Sequence, residues 1–129
     1  MNIQELSVGD WVRYRDREWQ VCSLYQFTEE VGLWRKDSQS CETITDIQPI
    51  RITSEILEKN GLEFIDDGND AIIFLCCDMF WARLCVGDCF WSIGVHSEDR
   101  LDAVICDVKY VHQLQHALRL AGIEKEIKL

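Results

Sequence analysis

The stretch Asp10-Trp11-Val12-Arg13-Tyr14-Arg15-Asp16-Arg17-Glu18-Trp19-Gln20-Val21-Cys22-Ser23-Leu24-Tyr25 decides the fold class. Apolar residues fall near alternate positions on both sides of the polar pair Asp16-Arg17. That is the period-two pattern of half-buried antiparallel strands joined by a turn. Two further strands are expected at 31–36 and 40–47, separated by Asp37-Ser38-Gln39. An isolated hairpin is marginal in water, so four or five strands in this short span predict a small, strongly bent sheet or barrel.

The opening Val8-Gly9-Asp10-Trp11-Val12, followed at once by a tight hairpin, is similar to the start of SH3-like and KOW-like barrels. Pro49, the single proline, marks a junction, so the expected division is a β subdomain over 1–48 and an α+β subdomain over 49–129. Past the junction, Ile52 and Leu57 bracket Thr53 as a hydrophobic staple brackets an N-cap. Glu55 lies in the first turn and Asn60-Gly61 forms a stop, which predicts a helix over 54–60. Asp66-Asp67-Gly68-Asn69-Asp70 reads as a turn. Dense apolar segments at 71–77, 80–86 and 89–95, the last two joined by Gly87-Asp88, and another at 103–108 predict an antiparallel sheet across about 71–108.

The helix expected over 110–121 has the most regular periodicity. Tyr110, Val111, Leu114, Ala117, Leu118 and Ala121 share one face, with His112, His116 and Arg119 opposite. Gly122 ends it, and 126–129 alternates like a terminal edge strand. The class is therefore α+β: a small SH3-like, barrel-like β subdomain, then an antiparallel sheet packed by two helices.

Composition narrows the function. The chain has 129 residues, 47% hydrophobic and 28% charged, which places it among globular proteins. Thirteen basic residues against 23 acidic give a net charge of -10, and both halves are acidic. Neither half is a basic module, which argues against long-range attraction to nucleic acid or anionic lipid. The longest apolar run, 71–77, is too short to span a bilayer. The start lacks the pattern of a secretory signal, and seven cysteines are an odd number. The expectation is a cytoplasmic protein with reduced thiols and no membrane association.

Two segments, Pro49-Ile50-Arg51-Ile52-Thr53 running into Ile56-Leu57-Glu58-Lys59-Asn60-Gly61, and Tyr110-Val111-His112-Gln113-Leu114-Gln115, join Gly9-Asp10-Trp11-Val12 in one order. Together they resemble a group of small uncharacterised proteins of gut Bacteroidales, often found in prophage or mobile-element settings. The string at 110–115 is the most specific part. The chain departs from that group at Leu62, where phenylalanine is usual, and in its many cysteines. The resemblance implies a bacterial, intracellular, mobile-element setting and no assigned activity.

Several constellations bear on chemistry. Cys85-x3-Cys89 and His112-x3-His116 offer the donors of a tetrahedral zinc site. The x3 spacing, the long gap between the pairs and the placing of the imidazoles opposite the core all count against it, so no metal and no cofactor is expected. Adjacent Cys76 and Cys77 point to opposite faces of a strand and read as core packing. The acidic turn 66–70 lacks the ligand spacing of a calcium loop. Phosphate-binding glycine loops, nucleophile elbows and His-Glu-x-x-His motifs are absent from the sequence.

What remains is a basic and aromatic patch around Trp11, Arg13, Arg15 and Trp19, and the exposed helix face expected of His112, Gln113 and His116. Both read as a candidate interaction surface for an unknown protein partner. The expected function is a non-catalytic interaction module. The alternatives are a small enzyme without a recognised motif, using Cys89 or His112, and a weak nucleic-acid-binding barrel.

Overall fold

The computed structural model describes residues 1–65, 72–76, 79–85, 90–97 and 100–129, with side chains at all of these except 96–97 and 100–103. The chain divides into two compact units, Met1–Ile50 and Arg51–Leu129. Both are antiparallel sheets with helical elements, so the α+β class holds.

The first unit is a meander of β1 (Trp11–Tyr14), β2 (Arg17–Tyr25), β3 (Glu30–Arg35) and β4 (Ser38–Thr43), in that spatial order. Val12 and Tyr14 on β1, Val21 on β2, and Val31 and Leu33 on β3 turn to one side. There they bury against Ile3 and Leu6 from a short 3-10 helix and its exit, and against Ile44 and Ile47 around a second. The β1–β2 turn lies at Arg15-Asp16, one residue earlier than the sequence suggests. Both residues have positive φ, 49° and 60°. Two left-handed residues in succession match the twist of a tight hairpin, a place where Asn-Gly is the usual signal, so the sequence did not advertise it. The strand expected to run to residue 47 stops at Thr43, because 44–46 coil into the 3-10 helix. After that helix, Gln48 forms a single antiparallel bridge to Arg13 on the outer edge of β1.

Two details fix the register. Buried Asp10 accepts a hydrogen bond from the Ser7 amide at 2.8 Å, and its own carbonyl accepts one from Val21 N at 2.9 Å. On β2 the register shifts between Val21 and Ser23, which makes Cys22 the extra residue of a β-bulge. Opposite the bulge sits Gly32, and a Cβ there would lie 1.9 Å from Ser23 Oγ. Only glycine fits this crossing without rearrangement.

The second unit holds α1 (Ser54–Lys59), β5 (Glu63–Ile65), β6 (Ile73–Cys76), β7 (Phe80–Cys85), β8 (Phe90–Ser97), β9 (Arg100–Val108) and α2 (Val111–Leu120). The five strands also lie in chain order. Phe64, Phe74, Ala82, Ile93 and Cys106 form one cross-strand row. Phe74 meets Phe64 edge-on and Trp91 at a tilt, both with centroids 5.9 Å apart. The expected cap of α1 is present, with Thr53 Oγ1 accepting from Ile56 N at 3.2 Å. Ile52 and Leu57 are both buried on either side of it. The segment before α1 bridges to the start of α2 through Arg51 and Tyr110, and Trp91 Nε1 donates to Ile52 O at 3.3 Å.

At the end of α2 the amide of Ile123 reaches Leu118 O at 2.9 Å and that of Gly122 reaches Arg119 O at 3.0 Å, with Gly122 at φ +75°. This is a Schellman stop. Residues 126–129 are not the edge strand the alternation predicts. Their backbone is held instead by a side chain, the amide of Asn60. Strand β5 was not anticipated: Glu63-Phe64-Ile65 is too short to show a period. The turns expected at 66–70 and 87–88 lie outside the described residues. Among the described residues, no helix is long and apolar enough to cross a membrane.

Candidate functional site

All five basic residues of the first unit, Arg13, Arg15, Arg17, Arg35 and Lys36, fall in its two outer hairpins. The β1–β2 and β3–β4 turns lie at the same end of an up-and-down meander, so the cations gather there. The opposite end, around the β2–β3 turn and the exit of β4, carries Glu29, Glu30, Glu42 and Asp46.

The basic end is built on two aromatic rings of the core-facing side. Trp19 is the register partner of Val12, which sets its indole edge-on to Tyr14 with centroids 6.3 Å apart, and Trp19 Nε1 donates to Tyr14 O at 3.3 Å. Arg15 lies over the Tyr14 ring at 5.3 Å and Arg35 over the Trp19 ring at 5.4 Å, both within cation–π range. The stack thus runs Arg15, Tyr14, Trp19, Arg35. Burial, then the hydrogen bond with Glu42, pushes the Tyr14 phenol above its ordinary pKa, so this ring stays neutral beneath its guanidinium.

The other side of the sheet carries a second row, Trp11, Gln20, Trp34 and Gln39, one residue from each strand. Trp34 is 44% exposed and Trp11 half-buried. Arg13 shares that side and pairs with Glu18 at 3.5 Å. Of the residues expected from sequence, Arg15 and Trp19 therefore join one cluster, while Trp11 and Arg13 lie on the opposite face. Arg35 was missed. The signal was the pairing register, since Gln20 opposite Trp34 sets Arg35 directly across from Trp19, and register is not readable from a single strand.

The helix surface expected on α2 is corrected by the structure. His112 is buried, 2% exposed, and stacks on Tyr110 with ring planes 7° apart and centroids 5.9 Å apart. Tyr110 precedes the helix in extended conformation and covers its first turn, which a helical wheel does not represent. Gln113 is occupied as a cap: its Oε1 accepts from the amides of Lys109 at 2.8 Å and Tyr110 at 3.2 Å. His116 is half-buried and meets His112 edge-on. The string at 110–115 is thus largely committed to starting α2.

Cys85 is half-buried with its sulfur 3.4 Å from Ser92 Oγ, and Cys76 is buried. Cys77, Cys89 and the acidic segment 66–70 lie outside the described residues. Among the described residues, no three His, Cys, Asp or Glu side chains cluster as a metal site. No family model matches the chain, and neither a curated protein nor a solved structure is found to be similar to it.

Proposed function

We propose that the chain is a non-catalytic protein-interaction module that docks an acidic segment of a partner protein on the Arg15–Arg35 end of the N-terminal sheet. The observation that carries this reading is the gathering of every basic residue of the first unit in its two outer hairpins, with Arg15 and Arg35 laid over the Tyr14 and Trp19 rings, in a chain of net charge -10. Guanidinium groups laid over rings keep their N–H edges available for carboxylates, and a planar fork pairs a carboxylate through two bonds. Aromatic area beside arginine is the composition enriched in protein interfaces. A long polyanion would meet the acidity of the remaining surface, whereas a short acidic segment is spared most of it by screening.

The first unit is further inferred to follow an SH3-like plan. A four-strand meander, a 3-10 turn at Ile44–Asp46 and a return of Gln48 to the free edge of β1 support it. The resemblance to the Bacteroidales group suits a cytoplasmic, mobile-element-encoded adaptor.

The test is a pull-down from the source cells with nuclease added, comparing the wild type with an Arg15→Glu/Arg35→Glu variant whose circular dichroism matches it. A stoichiometric protein that survives nuclease, is lost with the variant and weakens with salt supports the reading. A partner retained by the variant moves the surface elsewhere, and one removed by nuclease makes the module a nucleic-acid binder.

A further inference from the structure

The bulge on β2 has a chemical consequence. Cys22 is the extra residue there, and its sulfur sits 3.2 Å from the point where a Cβ of Gly32 would stand. It therefore leans off its own strand and over β3. The register partner of Gly32 on the far side is Cys41 of β4. Two cysteines from strands that do not touch are thus brought to either side of a residue with no side chain. Cys22, Ser23, Tyr25, Gly32, Gln39 and Cys41 line a shallow depression of about 330 Å³ at this crossing. Both thiols are exposed, and they lie near enough for the charge of Cys22 to act on Cys41.

The spacing selects what the pair can do. Neighbouring strands lie ~4.8 Å apart, so the two backbones are separated by roughly twice that. A disulfide needs Cα atoms within about 7 Å and a bond of about 2.05 Å between sulfurs, which this sheet does not offer without moving a strand. Backbones two strands apart, each with its thiol turned toward the glycine between them, can instead be spanned by two metal–thiolate bonds of ~2.3 Å set end to end, ~4.6 Å in all. A tetrahedral ion wants four donors, and among the described residues no set of even three is assembled. Soft thiolates with two-fold coordination favour a soft monovalent ion.

We propose that Cys22 and Cys41 bind a single soft, thiophilic cation, with Cu(I) as the fitting ion, in linear two-thiolate coordination across Gly32. Binding is an exchange without oxidation or reduction: two S–H bonds break, two S–Cu bonds form, and two protons leave to solvent. One of those protons is held in place, because Cys41 Sγ donates to Glu30 Oε2 at 3.3 Å. Occupancy therefore rises with pH and with removal of the Glu30 carboxylate.

The experiment is an anaerobic titration of the reduced, untagged protein with Cu(I) against a chromophoric Cu(I) chelator. It is run on the wild type, on Cys22→Ser, on Cys41→Ser and on Cys106→Ser as control. The expected result is one chelator-resistant equivalent in the wild type and the control, lost entirely in each of the other two variants. Two protons should be released per ion in lightly buffered solution. Serine is nearly isosteric and both sites are exposed, and matching circular dichroism spectra verify folding. Absence of a chelator-resistant equivalent in the wild type, or its survival in either Cys22→Ser or Cys41→Ser, overturns the proposal.

Discussion

The side-chain amide of Asn60 grips Lys128 by both of its backbone groups: Oδ1 accepts from Lys128 N at 2.7 Å, and Nδ2 donates to Lys128 O at 2.8 Å. The second hydrogen of Nδ2 goes to Ile56 O at 2.8 Å, so one buried side chain ties the C-terminal segment to the last turn of α1. Ile127, beside the clasp, is 1% exposed. Asn60→Ala should lower stability by about 1–3 kcal/mol, since the part-buried backbone groups of Lys128 lose their partners and the buried amide is gone. Asn60→Asp should cost no less, because it sets a carboxylate against two carbonyls. Urea unfolding measures both, and a loss within 0.5 kcal/mol, roughly the range of an ordinary surface change, would contradict the clasp.

Gly32→Ala places a methyl against Ser23 Oγ and near Cys22 Sγ. Overpacking of this kind costs about 1–3 kcal/mol. Ser23→Gly removes the nearest obstruction, so the double variant should recover most of the loss, as a double-mutant cycle on the unfolding midpoint would read. Additive effects would mean that the two residues do not collide.

Thr53→Ala removes the acceptor for Ile56 N and should cost about 1 kcal/mol, whereas Thr53→Ser should be almost neutral. Thermal unfolding of the three proteins side by side separates loss of the hydroxyl from loss of the methyl.

The Cys41 thiol is raised above its ordinary pKa of 9.0, first by its hydrogen bond to Glu30 and then by desolvation. The folded state holds this proton more tightly than the unfolded chain does. The resulting stability is fully present below pH 9.0 and is lost as the pH rises through the folded value. Glu30→Gln should flatten that alkaline decline. It should also speed alkylation of Cys41 at mildly alkaline pH, followed by mass spectrometry of its peptide; an unchanged rate would remove Glu30 from the account.

Local chemistry was legible in the sequence and longer-range register was not. Thr53, Asn60 and Gly122 each declare a helix boundary through their own side chain or lack of one, and Trp11 to Tyr25 shows its strand period directly. The hairpin turn was misplaced by one residue because Arg15 and Asp16 hold a backbone shape that is seldom theirs. His112 was misplaced for a different reason: its angle on the helix was right, but the covering group, Tyr110, lies before the helix begins. The candidate surface was half visible for the same cause. Arg15 and Tyr14 are neighbours in sequence, while Arg35 reaches Trp19 only through the pairing of β2 with β3.

Both sheets are strung in chain order, each strand beside the one made just before it. Such pairings close short loops and zip quickly, and domains synthesised from the N-terminus tend to fold as units in that order. The first unit has the strand partners it needs once Gln48 has emerged with the growing chain. The second unit is on another clock: Arg51 pairs with Tyr110, and Asn60 has its clasp only when Lys128 arrives. On the ribosome, the first sheet is finished while the helix after it still waits for the segment that will hold it.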